Sequence, residues 1–309
     1  MHIYYELTSR CNLNCEYCYN DSGIHRTEEM DLHEVQKIVD TLIVGYGLKS
    51  ITLSGGEPLL HPDFLDIVEF LVSRNVKVFL ITNGTLLNRY FPKFYGHFEV
   101  MHVSIHDGFD TNVDFSHLRK VAKYTNLRYN VVLNKRSILN IPYYQSIARI
   151  TDGVVVYKLQ REEGRGKNDQ LLSFEDAMFL KSNYPKVYEQ VFPVSYAKCC
   201  YFNEEYDAYT MHANGMMSLC PSLPNRFELG YALTDWKAQK EYALSKLLRA
   251  VHEYEAKVCT SCVLSSVCRG GCPGSIVANS TTMNLYCKVK CNEALENMVI
   301  QRRKLELGR

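Results

Sequence analysis

Short apolar runs rich in β-branched residues alternate with longer segments of helical periodicity through the first half of the chain. Most of these runs end near Gly, Asn or Asp, as strands that lead into turns typically do. The predicted strands cover residues 3–7, 50–53, 76–82, 100–105, 127–133 and 154–159. The predicted helices cover residues 32–44, 64–73, 86–95, 115–124 and 142–150. This alternation predicts an α/β fold in which helices cover a parallel sheet.

The last third of the chain has a different pattern. Residues 209–219, with Asn214 and Gly215 at their centre, are typical of a β-hairpin. Helical periodicity returns at 236–256 and again in a closing segment at 292–307, whose basic end matches the dipole of a helix. We therefore expect two domains, one over residues 1–190 and a smaller one over residues 191–309.

Composition and charge exclude several classes of protein. The chain has 309 residues, of which 46% are hydrophobic, so it can bury a full core. A formal net charge of +1 at pH 7 argues against nucleic acid or an anionic membrane as a partner. No apolar run approaches the ~18 residues of a membrane span, and Glu6 and Arg10 interrupt any signal-peptide core. We expect a cytoplasmic protein.

The cysteines are numerous and unevenly placed. Three of the twelve precede residue 20, and the other nine lie between Cys199 and Cys291. Because the cytosol keeps thiols reduced, these residues are better interpreted as metal ligands than as disulfides. The distribution predicts two metal regions separated by a cysteine-free scaffold.

The first metal region comes directly after the first predicted strand. Cys11, Cys15 and Cys18 have the spacing Cys-x3-Cys-x2-Cys. Three thiolates can hold three irons of a 4Fe-4S cluster and leave the fourth iron open, since full ligation takes four cysteines. A structural zinc site is the alternative, but its nearest fourth ligand is His25, in a polar segment. The spacing favours a cluster with an open coordination position.

With Tyr17 before its third cysteine, this triplet resembles the signature of the radical S-adenosylmethionine (SAM) enzymes. The turn Gly55-Gly56-Glu57-Pro58, after the second predicted strand, resembles a second signature of that family. The resemblance implies a partial (β/α)6 TIM barrel, a 4Fe-4S cluster that binds SAM, and cleavage of SAM to a 5'-deoxyadenosyl radical. Two glycines let the backbone approach a ligand, and Glu57 offers an acceptor for the SAM ammonium.

Further candidates follow the carboxyl ends of the strands, where parallel α/β barrels collect their chemistry. They are Asn83, Ser104, His106, Asn134 and Arg165. The resemblance implies that Ser104 contacts SAM, and Asn83, Asn134 and Arg165 are further cofactor-binding candidates. Simpler alternatives stay open: Asn83 as a turn residue, Asn134 as a loop cap and Arg165 as solvated surface. For His106, a contact with substrate and a hydrogen bond to a neighbour both stay open.

The second metal region has the spacing Cys-x2-Cys-x5-Cys-x3-Cys, preceded by Gly-x4-Cys. This pattern resembles the SPASM domain, an extension with auxiliary clusters found in radical SAM enzymes that modify peptides. The resemblance implies an outer cluster with the ligands Cys259, Cys262, Cys268 and Cys287. It implies an inner cluster with the ligands Cys220, Cys272 and one or both of Cys199 and Cys200. Taken alone, the region also fits a pair of structural zinc sites.

Two departures from the SPASM pattern leave ligands open. Residues 203–206 occupy the place where relatives with a fully ligated inner cluster have a further cysteine. Either Cys199 and Cys200 both ligate, or the inner cluster keeps an open iron that can bind substrate. Cys291 is then left over. It is a catalytic candidate that could donate a hydrogen atom to a substrate radical, and the alternative is an inert structural thiol.

These resemblances imply an oxidoreductase that matures a peptide or protein by hydrogen-atom abstraction, with oxidation, crosslinking or epimerisation as the outcome. The alternatives are a radical SAM dehydrogenase of a small alcohol or sugar, and a zinc-dependent binding module. The expected cofactors are the SAM-binding 4Fe-4S cluster, two auxiliary iron-sulfur clusters and SAM. The expected partners are the peptide substrate and an electron donor such as flavodoxin or ferredoxin. Because the chain begins directly in its first strand, we expect a leader peptide to bind a separate partner or another surface.

Overall fold

The structure is a computed structural model that describes residues 1–106, 113–161, 164–166, 169–192, 207–220 and 227–260, together with 285, 287–290, 292–294 and 296–297. Six strands form its centre: β1 (His2–Thr8), β2 (Ser50–Gly55), β3 (Lys77–Thr82), β4 (Phe98–Ile105), β5 (Asn126–Leu133) and β6 (Val154–Leu159). They are parallel and lie side by side in chain order. All six coincide with predicted strands.

Helices follow these strands and bury their apolar sides against one face of the sheet. They are α1 (Leu32–Tyr46), α2 (Phe64–Ser73), α3 (Phe115–Val121), α4 (Ile141–Thr151), α5 (Phe174–Asn183) and α6 (Pro185–Val191). A capping box between Asp31 and Glu34 fixes the start of α1, and Gly47, in the left-handed conformation, ends it. The parallel strands and their covering helices confirm the predicted α/β fold of the partial (β/α)6 type.

One predicted helix, over residues 86–95, is wrong. The chain between β3 and β4 forms two short 3-10 helices instead, Leu87–Arg89 and Pro92–His97. Pro92 has no N–H to donate and forces the preceding residue into an extended conformation, so a continuous α-helix breaks here. The apolar spacing that mimics a helix comes from aromatic packing, in which Tyr90 stacks on Phe94.

Alternate residues of the strands face opposite sides of the sheet. In β1, Ile3, Tyr5 and Leu7 are fully buried and form the core with the helices. His2 and Tyr4, which alternate with these residues, line the concave face of the sheet. We call this concave face, lined by alternate residues of β1–β6, the lumen. The carboxyl ends of the strands meet at one edge of the lumen, and their amino ends meet at the other.

The predicted hairpin at 209–219 is present and extends the sheet. Its strands are β7 (Ala208–Met211) and β8 (Met216–Ser218), and Gly215 in the turn between them has a φ of 78°. A further strand, β9 (Glu228–Tyr231), pairs antiparallel with β8. Strand β7 pairs parallel with β1, a contact that the sequence pattern does not predict. This pairing joins the two predicted domains in one sheet.

The predicted helix at 236–256 contains α7 (Lys240–Tyr254), with a 3-10 helix before it and a π-helical turn, Glu255–Cys259, after it. Residues 287–290 and 292–294 are helical, and most of the predicted closing helix lies outside the described residues. In the part of the chain that the structure describes, no helix is both long enough and apolar enough to cross a membrane.

Candidate functional site

The cysteine loop, residues 9–23, follows β1 at the carboxyl edge of the sheet. Cys11 and Cys15 are buried in this loop and Cys18 is half-buried. The N–H of Cys11 donates to the Gly23 carbonyl at 3.1 Å, and the N–H of Cys18 donates to the Cys15 carbonyl at 3.2 Å. The loop therefore folds back on itself and brings its three thiols to the edge where α/β barrels place their chemistry.

The thiols of the cysteine loop fit a positively charged metal group. Burial, and then the neighbouring thiols of Cys11 and Cys18, raise the pKa of the Cys15 thiol to about 12. Burial also raises the pKa of the Cys11 thiol. Without a cation, three thiolates would therefore destabilise one another in this loop. A coordinated metal reverses that balance, because a thiol that ligates a metal loses its proton outright.

The turn Gly55-Gly56-Glu57-Pro58 is joined to the chain that leads into the cysteine loop. The N–H of Gly56 donates to the Thr8 carbonyl and the N–H of Glu57 to the Arg10 carbonyl, each at 2.8 Å. A Cβ on Gly55 would overlap the Thr8 carbonyl oxygen, and a Cβ on Gly56 would overlap that of Arg10. Both positions must therefore be glycine because the backbone of the neighbouring chain passes so close to them. The sequence pattern predicted only that these glycines let a ligand approach.

Glu57 has a fully buried carboxylate that ties the ends of β2 and β3 together. Its Oε1 accepts from the Thr82 hydroxyl at 2.7 Å and from the Leu59 N–H at 3.1 Å, and its Oε2 accepts from the Asn83 N–H at 2.6 Å. Burial raises the pKa of this carboxyl to about 7, against the opposing effect of the three donors. The predicted contact with the SAM ammonium stays a prediction, beside this structural role that the sequence did not indicate.

Asn83 lies against the first cysteine. Its Nδ2 donates to Asn12 Oδ1 at 2.8 Å and lies 3.9 Å from Cys11 Sγ. Its Oδ1 accepts from the N–H of Thr85 at 3.0 Å and from the Thr85 hydroxyl at 2.7 Å. The side chain thus fixes the turn after β3 and also presents its amide to a thiol of the cysteine loop.

Tyr17 and His106 stack beside the second cysteine, with ring centroids 5.7 Å apart. The Tyr17 hydroxyl makes a short hydrogen bond with Nδ1 of His106, and that nitrogen lies 3.8 Å from Cys15 Sγ. Burial lowers the pKa of His106 to about 4, so the ring is neutral at pH 7. Ser104, two residues earlier on the same face of β4, is half-buried. Of the two alternatives for His106, the structure shows the hydrogen bond to a neighbour, the Tyr17 hydroxyl.

Arg165 contacts the cysteine loop through four groups. Its backbone N–H donates to the Cys18 carbonyl at 3.0 Å, and its Nε donates to the Cys15 carbonyl at 3.0 Å. Its Nη1 pairs with the Asp21 carboxylate at 2.6 Å, and its Nη2 donates to the Ser22 carbonyl at 2.7 Å. The segment after β6 therefore holds the loop after β1 in shape.

Asn134 caps the loop after β5. Its Oδ1 accepts from the N–H groups of Arg136 and Ser137, each at 3.0 Å. Its Nδ2 donates to Gln160 Oε1 at 3.1 Å, and Gln160 in turn donates to the Gly166 carbonyl at 2.8 Å. Asn134 thus reaches the cysteine loop indirectly, through the segment that carries Arg165 and through Arg136, which pairs with Glu16.

Of the predicted auxiliary-cluster ligands, the structure describes the side chains of Cys220 and Cys287. Cys220, after β8, is half-buried, and the buried Cys287 has its Sγ 3.5 Å from the hydroxyl of Tyr254, at the end of α7. Cys259 ends the turn that follows Tyr254, but its side chain is not described. The remaining candidates lie outside the described residues: Cys199, Cys200, Cys262, Cys268, Cys272 and Cys291. Among the described side chains, no three of His, Cys, Asp or Glu converge on a single metal ion.

Tyr19, in the cysteine loop, lies close to Cys220, and sequence reasoning missed it. The guanidinium of Arg161 lies 4.4 Å above its ring. Burial and then the Glu6 carboxylate raise the pKa of its hydroxyl, and the thiols of Cys18 and Cys220 both lie close enough to contribute. Its position directly after Cys18 was the available signal.

A second missed group bridges β1 and the hairpin. Glu6 Oε2 lies 2.7 Å from Nδ1 of His212, and Nε2 of His212 lies 3.0 Å from the Ser218 hydroxyl. No spacing rule could have found this group, because it depends on the pairing of β7 with β1.

Residues 5–137 match the model of the Radical SAM superfamily. The matched segment begins in β1 and contains the cysteine loop, the Gly-Gly-Glu-Pro turn and the stacked pair of Tyr17 and His106. Residues 5–137 form a radical SAM domain. A radical SAM domain implies a 4Fe-4S cluster and SAM as cofactors, in agreement with the donor set of the cysteine loop.

Two curated relatives extend the comparison to different degrees. The GTP 3',8-cyclase of Chlorobaculum tepidum is 38% identical over 85 residues, which cover 27% of this chain and 26% of the cyclase. The chain thus spans about a quarter of that relative's length. The mycofactocin maturase MftC of Mycobacterium tuberculosis is 23% identical over 310 residues, which cover 87% of this chain and 77% of MftC. The second similarity continues beyond the radical SAM domain.

The fold of the whole chain resembles that of Streptococcus suis SuiB. The crystal structure of SuiB bound to S-adenosylmethionine superimposes with a TM-score of 0.71 at 15% identity, over 93% of this chain and 76% of SuiB. At this identity the similarity concerns the fold alone. The radical SAM domain and the hairpin therefore share one architecture with SuiB.

Proposed function

We propose that this chain matures a peptide or protein by radical chemistry. A hydrogen atom is removed from the bound peptide, and the peptide is then oxidised, crosslinked or epimerised. When bound, the cluster and SAM supply the 5'-deoxyadenosyl radical for this step. The observation that carries the proposal is the cysteine loop, which brings three thiols to the carboxyl edge of a radical SAM domain, close enough for Cys11 and Cys18 to raise the pKa of Cys15.

In this proposal Cys11, Cys15 and Cys18 hold the cluster, and Arg165 keeps their loop in the shape that ligation needs. Tyr17 reaches the thiol of Cys15 through His106. The residues assigned to the cofactor are Tyr17, Gly55, Gly56, Glu57, Asn83, Ser104, Asn134 and Arg165. Among them, Gly55, Gly56 and Asn134 act by fixing backbone, as their contacts indicate.

The names of two similar proteins, MftC and SuiB, support a peptide substrate. MftC is named a maturase, and one structure of SuiB is described as bound to its precursor peptide SuiA. Both proteins match most of this chain, whereas the cyclase matches only a quarter of its own length. These names favour a peptide over a small alcohol or sugar, and the radical SAM domain favours an enzyme over a zinc-dependent binding module.

We further propose a division near residue 190 and two auxiliary clusters in the second part. Cys220 and Cys272, with Cys199, Cys200 or both, would hold the inner cluster. The outer cluster would be held by Cys259, Cys262, Cys268 and Cys287. The burial of Cys287 beside Tyr254 supports the outer site, because Tyr254 lies five residues before Cys259. An electron donor and a separate leader-binding partner belong to the same proposal.

Mass spectrometry of candidate peptides tests this function. Peptides encoded beside the gene are incubated without oxygen with the iron-reconstituted protein, SAM and dithionite. Loss of two hydrogen atoms indicates oxidation or crosslinking, and deuterium gained in heavy water indicates epimerisation. A Cys15→Ala variant should leave every peptide unchanged. Unchanged peptides together with oxidation of a small alcohol or sugar would instead support the dehydrogenase alternative.

A further inference from the structure

A cavity of about 600 Å³ opens in the lumen toward the amino ends of the strands, away from the cysteine loop. One side carries the apolar groups of Tyr4, Phe79 and Val100 from β1, β3 and β4, and the positively charged residues Met1 and Lys49, directly before β1 and β2, also line the cavity. The opposite wall carries two cations, Arg128 from β5 and Lys158 from β6. The cavity thus offers an apolar side and a positive side to whatever enters it.

The two cations have no acidic partner among the described residues. Asp207, the described acidic residue that lines the cavity, is paired instead with Lys237 at 3.4 Å. Both Arg128 and Lys158 are exposed to water. For Lys158 this exposure is through the cavity, because its ammonium is otherwise surrounded by protein and burial lowers its pKa to about 8. Lys158 therefore still carries its charge at pH 7.

The two positive charges act on a common neighbour. His102 pairs with Arg128 across β4 and β5 and lines the same cavity. Burial lowers the pKa of His102 to about 4, and the charges of Lys158 and Arg128 add to that effect. Both cations therefore lie within electrostatic range of one imidazole.

We propose that this cavity binds a carboxylate of the peptide substrate, held by Arg128 and Lys158 while neighbouring apolar groups of the peptide contact Tyr4, Phe79 and Val100. The inference rests on the proposed function and names a feature of its substrate. A carboxylate neutralises both cations and accepts charge-assisted hydrogen bonds, which an arginine fork can donate in pairs. An uncharged peptide would leave the two cations without an acidic partner among the described residues.

The geometry of β4 also predicts where the carboxylate lies in the peptide. His102 lines the cavity and His106 lies beside Cys15, four residues further along the chain toward the carboxyl edge. At a rise of roughly 3.3 Å per residue, this separation is about 13 Å, which an extended peptide spans in about four residues. Arg128 lies at the level of His102, whereas Lys158 pairs with Val132 and lies at the level of His106. A carboxylate held by both cations therefore lies at most about four residues from the position that is modified.

Binding of three matched decapeptides tests the proposal. Each consists of Gly, Ala and Ser and carries an uncharged fluorophore on its amino end, which removes the amino-terminal charge. The two acidic peptides each differ from the neutral one by a single negative charge. The first is amidated and uncharged, the second has a free carboxyl terminus, and the third is amidated with one internal Glu. Anisotropy is measured at low salt on the reconstituted full chain without SAM. We expect at least one acidic peptide to bind roughly tenfold more tightly than the neutral one, and the better of the two identifies the source of the carboxylate.

Substitutions assign that selectivity to the cavity. Arg128→Gln and Lys158→Met should each weaken binding of the preferred acidic peptide roughly tenfold and leave the neutral peptide unaffected. Lys158→Arg, which keeps the charge, should retain the preference. Arg149→Gln is the matched control, because Arg149 is exposed in the last turn of α4 and has no partner among the described residues.

Equal affinity for the three peptides, including no measurable binding of any, would overturn the proposal. An Arg149→Gln effect as large as that of Arg128→Gln would overturn it as well. Failure of the proposed function is a separate result. An iron-replete protein that never modifies a peptide would fail the mass-spectrometric test. The selectivity for a carboxylate is measured without SAM and without turnover, so it does not depend on that result.

Discussion

The Nε of Arg165 donates a hydrogen bond to the carbonyl oxygen of Cys15 at 3.0 Å, across 150 residues of sequence. The same guanidinium binds Asp21 and the Ser22 carbonyl. Arg165 therefore acts on the cysteine loop through hydrogen bonds to two backbone carbonyls and one carboxylate, and its charge favours the thiolate form of Cys15. Replacing groups that orient metal ligands in this way typically lowers metal affinity by roughly 10–100-fold.

We predict that Arg165→Gln lowers the affinity of the cysteine loop for its cluster by roughly tenfold or more, because three contacts of the guanidinium with the loop are lost. Iron bound per protein after anaerobic reconstitution and desalting measures this effect. Arg136→Gln is the control, since Arg136 pairs with Glu16 of the same loop at 3.2 Å but both side chains are exposed. Equal iron content in the two variants would contradict the role of Arg165.

Gly56→Ala should prevent correct assembly of the site, whereas Gly45→Ala should not. A Cβ on Gly56 overlaps the Arg10 carbonyl oxygen, so β1 or the turn must move, which typically costs about 1–3 kcal/mol. Gly45 lies in α1 and a Cβ there meets nothing within 4 Å. Its replacement should stabilise the helix by up to about 1 kcal/mol. Thermal unfolding and iron content check both variants, and a Gly56→Ala protein that equals wild type would contradict the packing.

The buried carboxyl of Glu57 should give stability a distinct pH dependence. Its pKa is raised from 4.5 to about 7 in the folded state, so between these values the folded protein holds a proton that the unfolded chain has lost. The stabilisation that this proton provides is fully present below pH 4.5 and is lost as pH rises to about 7.

Glu57→Gln removes that titration. As pH rises through this window, the free energy of unfolding of wild type should therefore fall by roughly 3 kcal/mol relative to that of the variant. Denaturant unfolding of both proteins at several pH values measures the difference. A difference that is constant with pH, or that grows in favour of wild type as pH rises, would contradict the raised pKa.

His106→Leu should lower the reduction potential of the cluster at the cysteine loop. Nδ1 of His106 lies 3.8 Å from Cys15 Sγ and donates to it when that nitrogen carries the ring hydrogen, and hydrogen bonds to cluster sulfur favour the reduced, more negative state. Tyr17→Phe removes the hydroxyl that shares the same nitrogen, so it should not lower the potential. Redox titration followed by electron paramagnetic resonance measures both variants. An unchanged or raised potential of the His106→Leu variant at equal iron content would rule out the contact with sulfur.

Much of the radical SAM domain could be predicted from local signals. Each of β1–β6 coincides with a short apolar run, and the cysteine triplet and the Gly-Gly-Glu-Pro turn lie at the ends of the strands that precede them. The prediction failed between β3 and β4, because the apolar spacing there serves an aromatic cluster and Pro92 breaks the helix. Local periodicity does not distinguish these two uses of the same residue types.

The contacts within the site depend on tertiary structure that local signals do not contain. Gly164, with a φ of 53°, passes so close to the cysteine loop that a Cβ would overlap the Tyr19 carbonyl oxygen. From sequence alone this Gly-rich segment also fits solvated surface. The bridge from Glu6 to His212 likewise requires the pairing of β7 with β1. Residue types at strand ends thus located the site, but their partners followed only from the fold.

Formation of 5'-deoxyadenosine tests the central claim most directly. The protein is purified without oxygen, reconstituted with iron and sulfide, and given SAM and dithionite. Wild type should form 5'-deoxyadenosine, Cys15→Ala should form none, and Cys220→Ala should retain cleavage because it leaves the cysteine loop intact. A colourless protein that holds zinc in place of iron, or a Cys15→Ala variant as active as wild type, would contradict the account.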